Sequence, residues 1–209
     1  MSNPIAKFAM GFFYVYPLNT LMLKLISVDG EATDIVTLNQ AKEHLRVDGT
    51  NDDTYITALL SAAVNYIEEE TGRDFVSKTW EEVLNGFPSY KIELAKPPLD
   101  EITSITYVDE NGDSQVLPTN KYESFSPHYM PGFIIPKGAY PQTASNNEGA
   151  VVIRYTTGST HDLAKHAVKL LVAHWYENRE AEIVGTISSP IKIAGLDRLC
   201  NLLAHGGYH

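Results

Sequence analysis

The sequence predicts an α+β fold: a small helical bundle made of two helix pairs, with an antiparallel β-rich insertion between the second and third helices. Three observations carry that expectation. Apolar residues recur at helical spacing in two blocks, near residues 37–72 and 159–204. Between the blocks lie short runs rich in β-branched and aromatic residues, separated by turn residues. Helices, then strands, then helices is the order of an α+β chain, not of alternating βα units.

In chain order, residues 1–34 read as an N-terminal extension. The apolar stretch Phe8–Tyr16 sits between Lys7 and Pro17 and is nine residues long. A membrane span needs roughly 18 or more apolar residues, and a secretory signal needs a basic start and a small-residue cleavage site. No exported or membrane-spanning segment is therefore expected. Met22-Leu23-Lys24-Leu25 opens an ordinary polar–apolar pattern. Translation starting at Met22 would leave the first 21 residues outside the native protein.

The bundle is expected from residues 35–75 and 159–205. Thr37-Leu38-Asn39-Gln40 has the form of a capping box, in which a threonine hydroxyl and a glutamine side chain reciprocally satisfy orphan amides. Leu38, Ala41 and Leu45 follow at helical spacing, and Gly49 is placed to stop that short helix. A second start at Thr50-Asn51-Asp52-Asp53 puts cap oxygens and carboxylates at a partly positive helix end. Ile56, Leu59, Leu60, Ala63, Val64 and Ile67 keep the period until Thr71-Gly72, where glycine permits a left-handed exit.

Strands are expected at Trp80–Leu84, Lys91–Leu94, Ile102–Val108, Gln115–Leu117, Tyr122–Phe125 and Ala150–Tyr155, within an insertion spanning residues 76–158. Asn111-Gly112 is a hairpin signal with both turn residues at positive φ. Four prolines and a Ser-Asn-Asn-Glu-Gly stretch between Pro127 and Gly149 read as a long surface loop. Helix signals return at Ser159-Thr160-His161-Asp162. Leu163, Ala167, Leu170, Leu171 and Trp175 then form a stripe that ends near Asn178. Residues 182–193 read as a linker to a last helix, about Ala194 to Ala204, with Leu196, Leu199, Cys200 and Leu203 on one face.

The chain has 209 residues and a formal charge of −10. The acid is concentrated: residues 31–75 carry ten acids against three bases, while residues 160–209 balance five against five. So acidic a chain disfavours a dedicated DNA-gripping module, which works by neutralising phosphates. A single cysteine, Cys200, excludes an intramolecular disulfide and a cysteine-rich zinc site. No glycine-rich phosphate loop or serine-nucleophile elbow is present. His161 and His166 are five apart, about 140° around a helix, so His161, His166 and His174 share no ligand face. Gly206-Gly207 separates His205 from His209. Asp52 and Asp53 are expected to act as capping acids and Cys200 as a small buried hydrophobe. No catalytic residue, cofactor or metal site is expected. Glu68-Glu69-Glu70 is a like-charge run at a helix C-terminus, unfavourable by repulsion and by the dipole, and it hints at a special environment.

Several runs together resemble the head–tail connector (adaptor, or head-completion) proteins of long-tailed phages. The opening resembles Thr37-Leu38-x-x-Ala41-Lys42-x-His44-Leu45-Arg46-Val47-Asp48, followed by Asp52-Asp53, Ile56, Leu59-Leu60, Ala62-Ala63, Glu68 and Thr71-Gly72-Arg73. Pro97-Pro98-Leu99 with Ile102, Ile105, Tyr107, Asp109 and Gly112 is similar to the longer members, which carry a β insertion. So are Ile153-Arg154-Tyr155-x-x-Gly158 and His174-Trp175-Tyr176-Glu177-Asn178-Arg179-Glu180. The closing Gly195-Leu196-x-x-Leu199-x-x-Leu202-Leu203 fits as well, although this chain ends His-Gly-Gly-Tyr-His instead of on an arginine-containing tail. The resemblance covers about residues 35–205.

It implies a structural virion protein made in the host bacterial cytoplasm and placed in the neck. Its partners would be copies of itself in a ring, commonly twelvefold, the portal protein, and the next neck or tail-completion protein. DNA would pass through without specific binding. Leu196, Leu199 and Leu203 become candidate anchors for a portal or neighbour, and Glu68, Glu69 and Glu70 candidate channel-facing acids. Stoppers and tail terminators are shorter and β-dominated, which the flanking helix pairs argue against. The alternative from another class is a nucleic-acid-handling packaging accessory, whose basic face could come only from Lys165, Lys169 and Arg179.

Overall fold

A computed structural model describes residues 20–127, 131–144, 148–159, 161–179, 193 and 195–204. The elements run β1 (Thr20–Val28), α1 (Ala32–Ile35), α2 (Leu38–Leu45), α3 (Asp53–Thr71), β2 (Lys78–Leu84), β3 (Ile92–Glu93) and β4 (Leu99–Val108). There follow β5 (Ser114–Val116), β6 (Tyr122–Phe125), β7 (Phe133–Pro136), β8 (Val151–Thr157), α4 (Asp162–Glu177) and α5 (Leu196–Leu203). The fold is α+β with antiparallel sheets, as the sequence predicts.

The helices surround one core. Ile56, Leu60, Val64 and Ile67 of α3 meet Ala164, Val168, Leu171 and Val172 of α4, and α5 closes it with Leu196, Cys200 and Leu203. The predicted capping box forms: Gln40 N donates to Thr37 Oγ1 and Thr37 N to Gln40 Oε1, each at 3.2 Å. The helix stops before Gly49, however. Arg46 takes the left-handed conformation, φ 57°, and Val47 N bonds back to Lys42 O. Lys42 then reaches forward to the Gly49 carbonyl and to Asp53, which holds this tight exit against the start of α3. At the other end of α3, Gly72 adopts φ 67° as its C-cap.

Five strands form one sheet in the order β1-β2-β8-β4-β5, and three form another in the order β3-β7-β6. Ile92, Tyr122 and Ile134 of the small sheet share a second core with Leu84, Ile105, Ile153 and Tyr155 of the large one. Two strands were not expected. β1 lies within the supposed extension and pairs with β2, so the large sheet is not confined to residues 76–158. β7 lies within the supposed loop 127–149, where Ile134 pairs with Ile92 on one side and Ser124 on the other. Its Phe-Ile-Ile-Pro run is too short and proline-bound to stand out as a strand. The β4–β5 hairpin also differs from expectation, because Gly112 alone takes a positive φ, 87°. Asp109 organises the turn by accepting from the amides of Asn111 and Asp113 at 2.9 and 3.0 Å.

The first 19 residues, the linker through residue 192, and His205 to His209 lie outside the described residues.

Candidate functional site

The densest buried chemistry joins the end of α3 to the large sheet. Glu68 is 8% exposed, and its Oε1 accepts the amides of Phe75 and Val76 at 2.7 and 3.0 Å. Its Oε2 pairs with Lys78 Nζ at 2.6 Å. Lys78 also pairs with Asp74 Oδ1 at 2.9 Å, and Asp74 Oδ2 accepts from Trp80 Nε1 and Thr157 Oγ1, each at 2.7 Å. Burial pulls the Lys78 ammonium down, but Asp74 and Glu68 more than offset it and hold its pKa above the ordinary lysine value. One cation between two buried carboxylates thus fixes α3, the crossing 72–77, β2 and β8 to one another. Gly158 belongs to the same junction, since a Cβ there would meet the Val76 carbonyl and Ser77 Cα at 2.8 Å.

A second tie lies at the opposite end of α3. Asp52 makes no side-chain cap bond. Instead its Oδ2 accepts from the Tyr176 hydroxyl and from Arg179 at 3.2 Å. The Tyr176 hydrogen bond and then Arg179 lower the Asp52 pKa, working against desolvation. The Arg179 guanidinium also lies 4.8 Å from the Tyr55 ring centre and 4.5 Å from that of Tyr176. Asp53, the other expected capping acid, pairs with Lys42 at 2.6 Å. These two acids link helices instead of capping one.

The expected site residues separate on inspection. Glu68 is turned inward and fully engaged, so it cannot face a channel, while Glu69 and Glu70 are exposed. Here the special environment hinted at by the acidic run turns out to be Lys78. Leu196 and Leu203 are buried in the chain's own core, with Leu199 packed partly against it. Leu196 and Leu203 thus anchor α5 to α3 and α4, while Leu199 stays partly exposed. Cys200 is buried beside them, and desolvation, with Glu70 and Asp197 nearby, pushes its thiol pKa up to about 11. Of the three basic residues considered as a nucleic-acid face, Lys165 pairs with Asp162 and Arg179 with Asp52. His161 caps α4 by accepting from Leu163 N through Nδ1 at 3.1 Å. Among the described residues, no group of three histidine, cysteine or acidic side chains is arranged to hold a metal ion.

Two features escaped the sequence. Glu82, 0% exposed on β2, accepts from Thr20 Oγ1, from Ala95 N at 2.9 Å and from the Tyr155 hydroxyl at 3.3 Å. Burial raises its pKa against those three hydrogen bonds. The second feature is β1 itself, which leaves Leu21, Met22, Leu25, Ile26 and Val28 exposed at a sheet edge. A register shift between Leu25 and Ser27 offsets the alternation. Leu25 and Val28 consequently both line a groove of about 480 Å³ with Thr57, Ser61 and Asn65 of α3. The signal was present as an apolar run ahead of Asp29-Gly30.

Residues 34–188 match the family described as head completion protein. No curated protein matches the chain. Among solved structures, the chain is similar to one from the neck of an empty GTA particle computed with C6 symmetry. The identity is 21% and the TM-score 0.66, over 88% of this chain and 95% of that one. A chain from the virion of a native gene transfer agent particle matches at 21% identity and TM-score 0.64, with the same coverage. A third, from the neck of a native GTA particle computed with C12 symmetry, matches at 20% and 0.63 over 88% and 95%. These likenesses establish a shared fold.

Proposed function

The chain belongs to the head completion protein family, and from that membership we propose that it is a structural head–tail connector subunit of a virion neck. Copies form a ring, twelvefold as is common among the connectors it resembles, beneath the portal. The ring extends the DNA channel and offers a platform to the next neck or tail-completion protein. The helices act as a small bundle carrying the β-rich part as an insertion. No catalytic step is assigned to any residue.

The observation that carries this reading is the family match, which runs from α1 through α4. The chemistry of the fold agrees with it. Its buried charges are spent on joining elements, as a load-transmitting part requires. Glu69 and Glu70, exposed at the end of α3, are among the acids available to a channel wall. Carboxylates there let DNA slide, because no phosphate is neutralised and no counterions are released. Negative-stain microscopy and light scattering of the full chain mixed with the portal protein of the same phage test the proposal. Ring-shaped complexes are expected; persistent monomers that do not bind portal refute it.

A further inference from the structure

We propose that the outer edge of β1 is the lateral contact between copies of this chain, meeting the β5 edge of the next copy. The inference rests on the ring reading above and names the surface that builds the ring.

β1 and β5 are the two borders of the five-stranded sheet, and among the described residues no strand pairs with either outer edge. β1 has five exposed apolar side chains in nine residues, and its only charge is Lys24. A long apolar edge is a template for strand addition, and proteins cover or blunt such edges. Lys24 and the register shifts near Met22 and Ser27 are the devices on β1 that blunt an edge, and they leave all five of these apolar side chains exposed, so a partner is expected. On a chain of net charge −10, the segment whose sole charge is positive is also where another copy approaches with least repulsion. The opposite border has the complementary character. Val116 on β5 is 66% exposed, and the adjoining turn carries Asp109, Glu110 and Asp113.

Register supplies the geometry. Met22 lies opposite Val83, Val83 opposite Val152, Val152 opposite Thr106, and Thr106 opposite Val116. Met22, 49% exposed, and Val116 therefore end the same cross-sheet row on the same face. The sheet has an odd number of strands, all antiparallel to their neighbours, so its two edges run in the same direction. Copies related by rotation, with little shift along the strands, bring Met22 of one against Val116 of the next as a parallel pair. That contact is heterologous, the kind that closes into a ring, and it continues the sheet from copy to copy as strand addition does.

Disulfide trapping in the full chain tests this. In a Cys200→Ala background, Met22→Cys, Lys24→Cys and Ile26→Cys are each combined with Val116→Cys. The proteins are then mixed with portal, imaged and oxidised. A ladder of covalent multimers from any of the three pairs, absent from the single-cysteine controls, is the expected result. Met22→Glu with Ile26→Glu, both at exposed positions, should abolish rings while leaving the circular dichroism spectrum unchanged. Rings that form without a ladder from any pair overturn this contact and leave the ring reading standing. Absence of rings overturns both. A ladder that appears only after residues 1–19 are deleted makes the chain's own N-terminal segment the occupant of the edge, and likewise overturns the proposal.

Discussion

Replacing Lys78 by methionine is the sharpest test of the junction between helices and sheet. Methionine keeps most of the stem and removes the ammonium, so the loss reports the charge and not the packing. Two charge-assisted bonds disappear, at 2.6 Å to Glu68 and 2.9 Å to Asp74, each worth about 1.5–3 kcal/mol net. Deleting one member of a buried pair costs about 3–5 kcal/mol. The Lys78 side chain retains 15% exposure, which admits some solvent and places the expected loss near 4 kcal/mol. With a urea slope of about 2 kcal/mol per molar, the unfolding midpoint should fall by about 2 M.

The pH dependence gives a second reading of the same variant. In the native protein the Lys78 pKa is raised, so its stabilisation is complete below the unfolded value of 10.5 and is lost as pH rises through the folded value. Lys78→Met has no ammonium to lose and lacks that alkaline loss. The stability gap between the two proteins should therefore narrow as the pH rises through the folded Lys78 value. Urea titrations followed by Trp fluorescence measure both effects. A loss below about 1 kcal/mol, the size of an exposed pair, or a gap that does not narrow, refutes the buried-cation account.

Three further outcomes are expected. Glu82→Gln should be at least as stable as the native protein at neutral pH and should flatten the pH dependence. The raised Glu82 pKa means that its contribution is present below the unfolded value of 4.5 and lost as pH rises through the folded one; thermal melts across that range check this. Gly158→Ala should destabilise by about 1–3 kcal/mol, because φ is +116° and the new Cβ would meet backbone that cannot move aside; urea unfolding measures it. Cys200, with a thiol pKa near 11, should resist iodoacetamide at pH 8 in the native protein and react once it is unfolded, as mass spectrometry would show.

What the sequence made legible was local. The Thr37–Gln40 box, the glycine exit at Gly72 and the period of α3 and α4 are each specified by a few neighbouring residues, and each appears where expected. Pairings across long separations were not legible in the same way. β1 and β2 lie far apart in the chain, and β7 becomes a strand only because Ile134 finds Ile92 and Ser124 on either side. The candidate site failed for a related reason. Glu68, Glu69 and Glu70 look alike in sequence, and partners further along the chain, Lys78 and the amides of Phe75 and Val76, separate the one that turns inward from the two that stay out. Leu196 and Leu203 were ambiguous between a partner and their own core until α5 was placed against α3 and α4.

That sorting of acids bears on how the chain could surround DNA. The segment 31–75 looked like a block of surplus negative charge. Much of it is spent inside the molecule: Asp52 on Arg179, Asp53 on Lys42, and Glu68 and Asp74 on Lys78. These four acids share three cations, so one uncompensated negative charge stays at the buried Glu68–Lys78–Asp74 cluster, and salt screens its field beyond a Debye length of about 8–10 Å. The field that a passing duplex would meet from this segment then comes from its exposed acids, Glu43, Asp48, Glu69 and Glu70 among them. Total charge is therefore a poor guide to how smoothly DNA moves through such a ring. In the proposed role, Glu69→Lys with Glu70→Lys should change salt-dependent DNA retention more than any substitution among the paired acids, although all of them alter net charge.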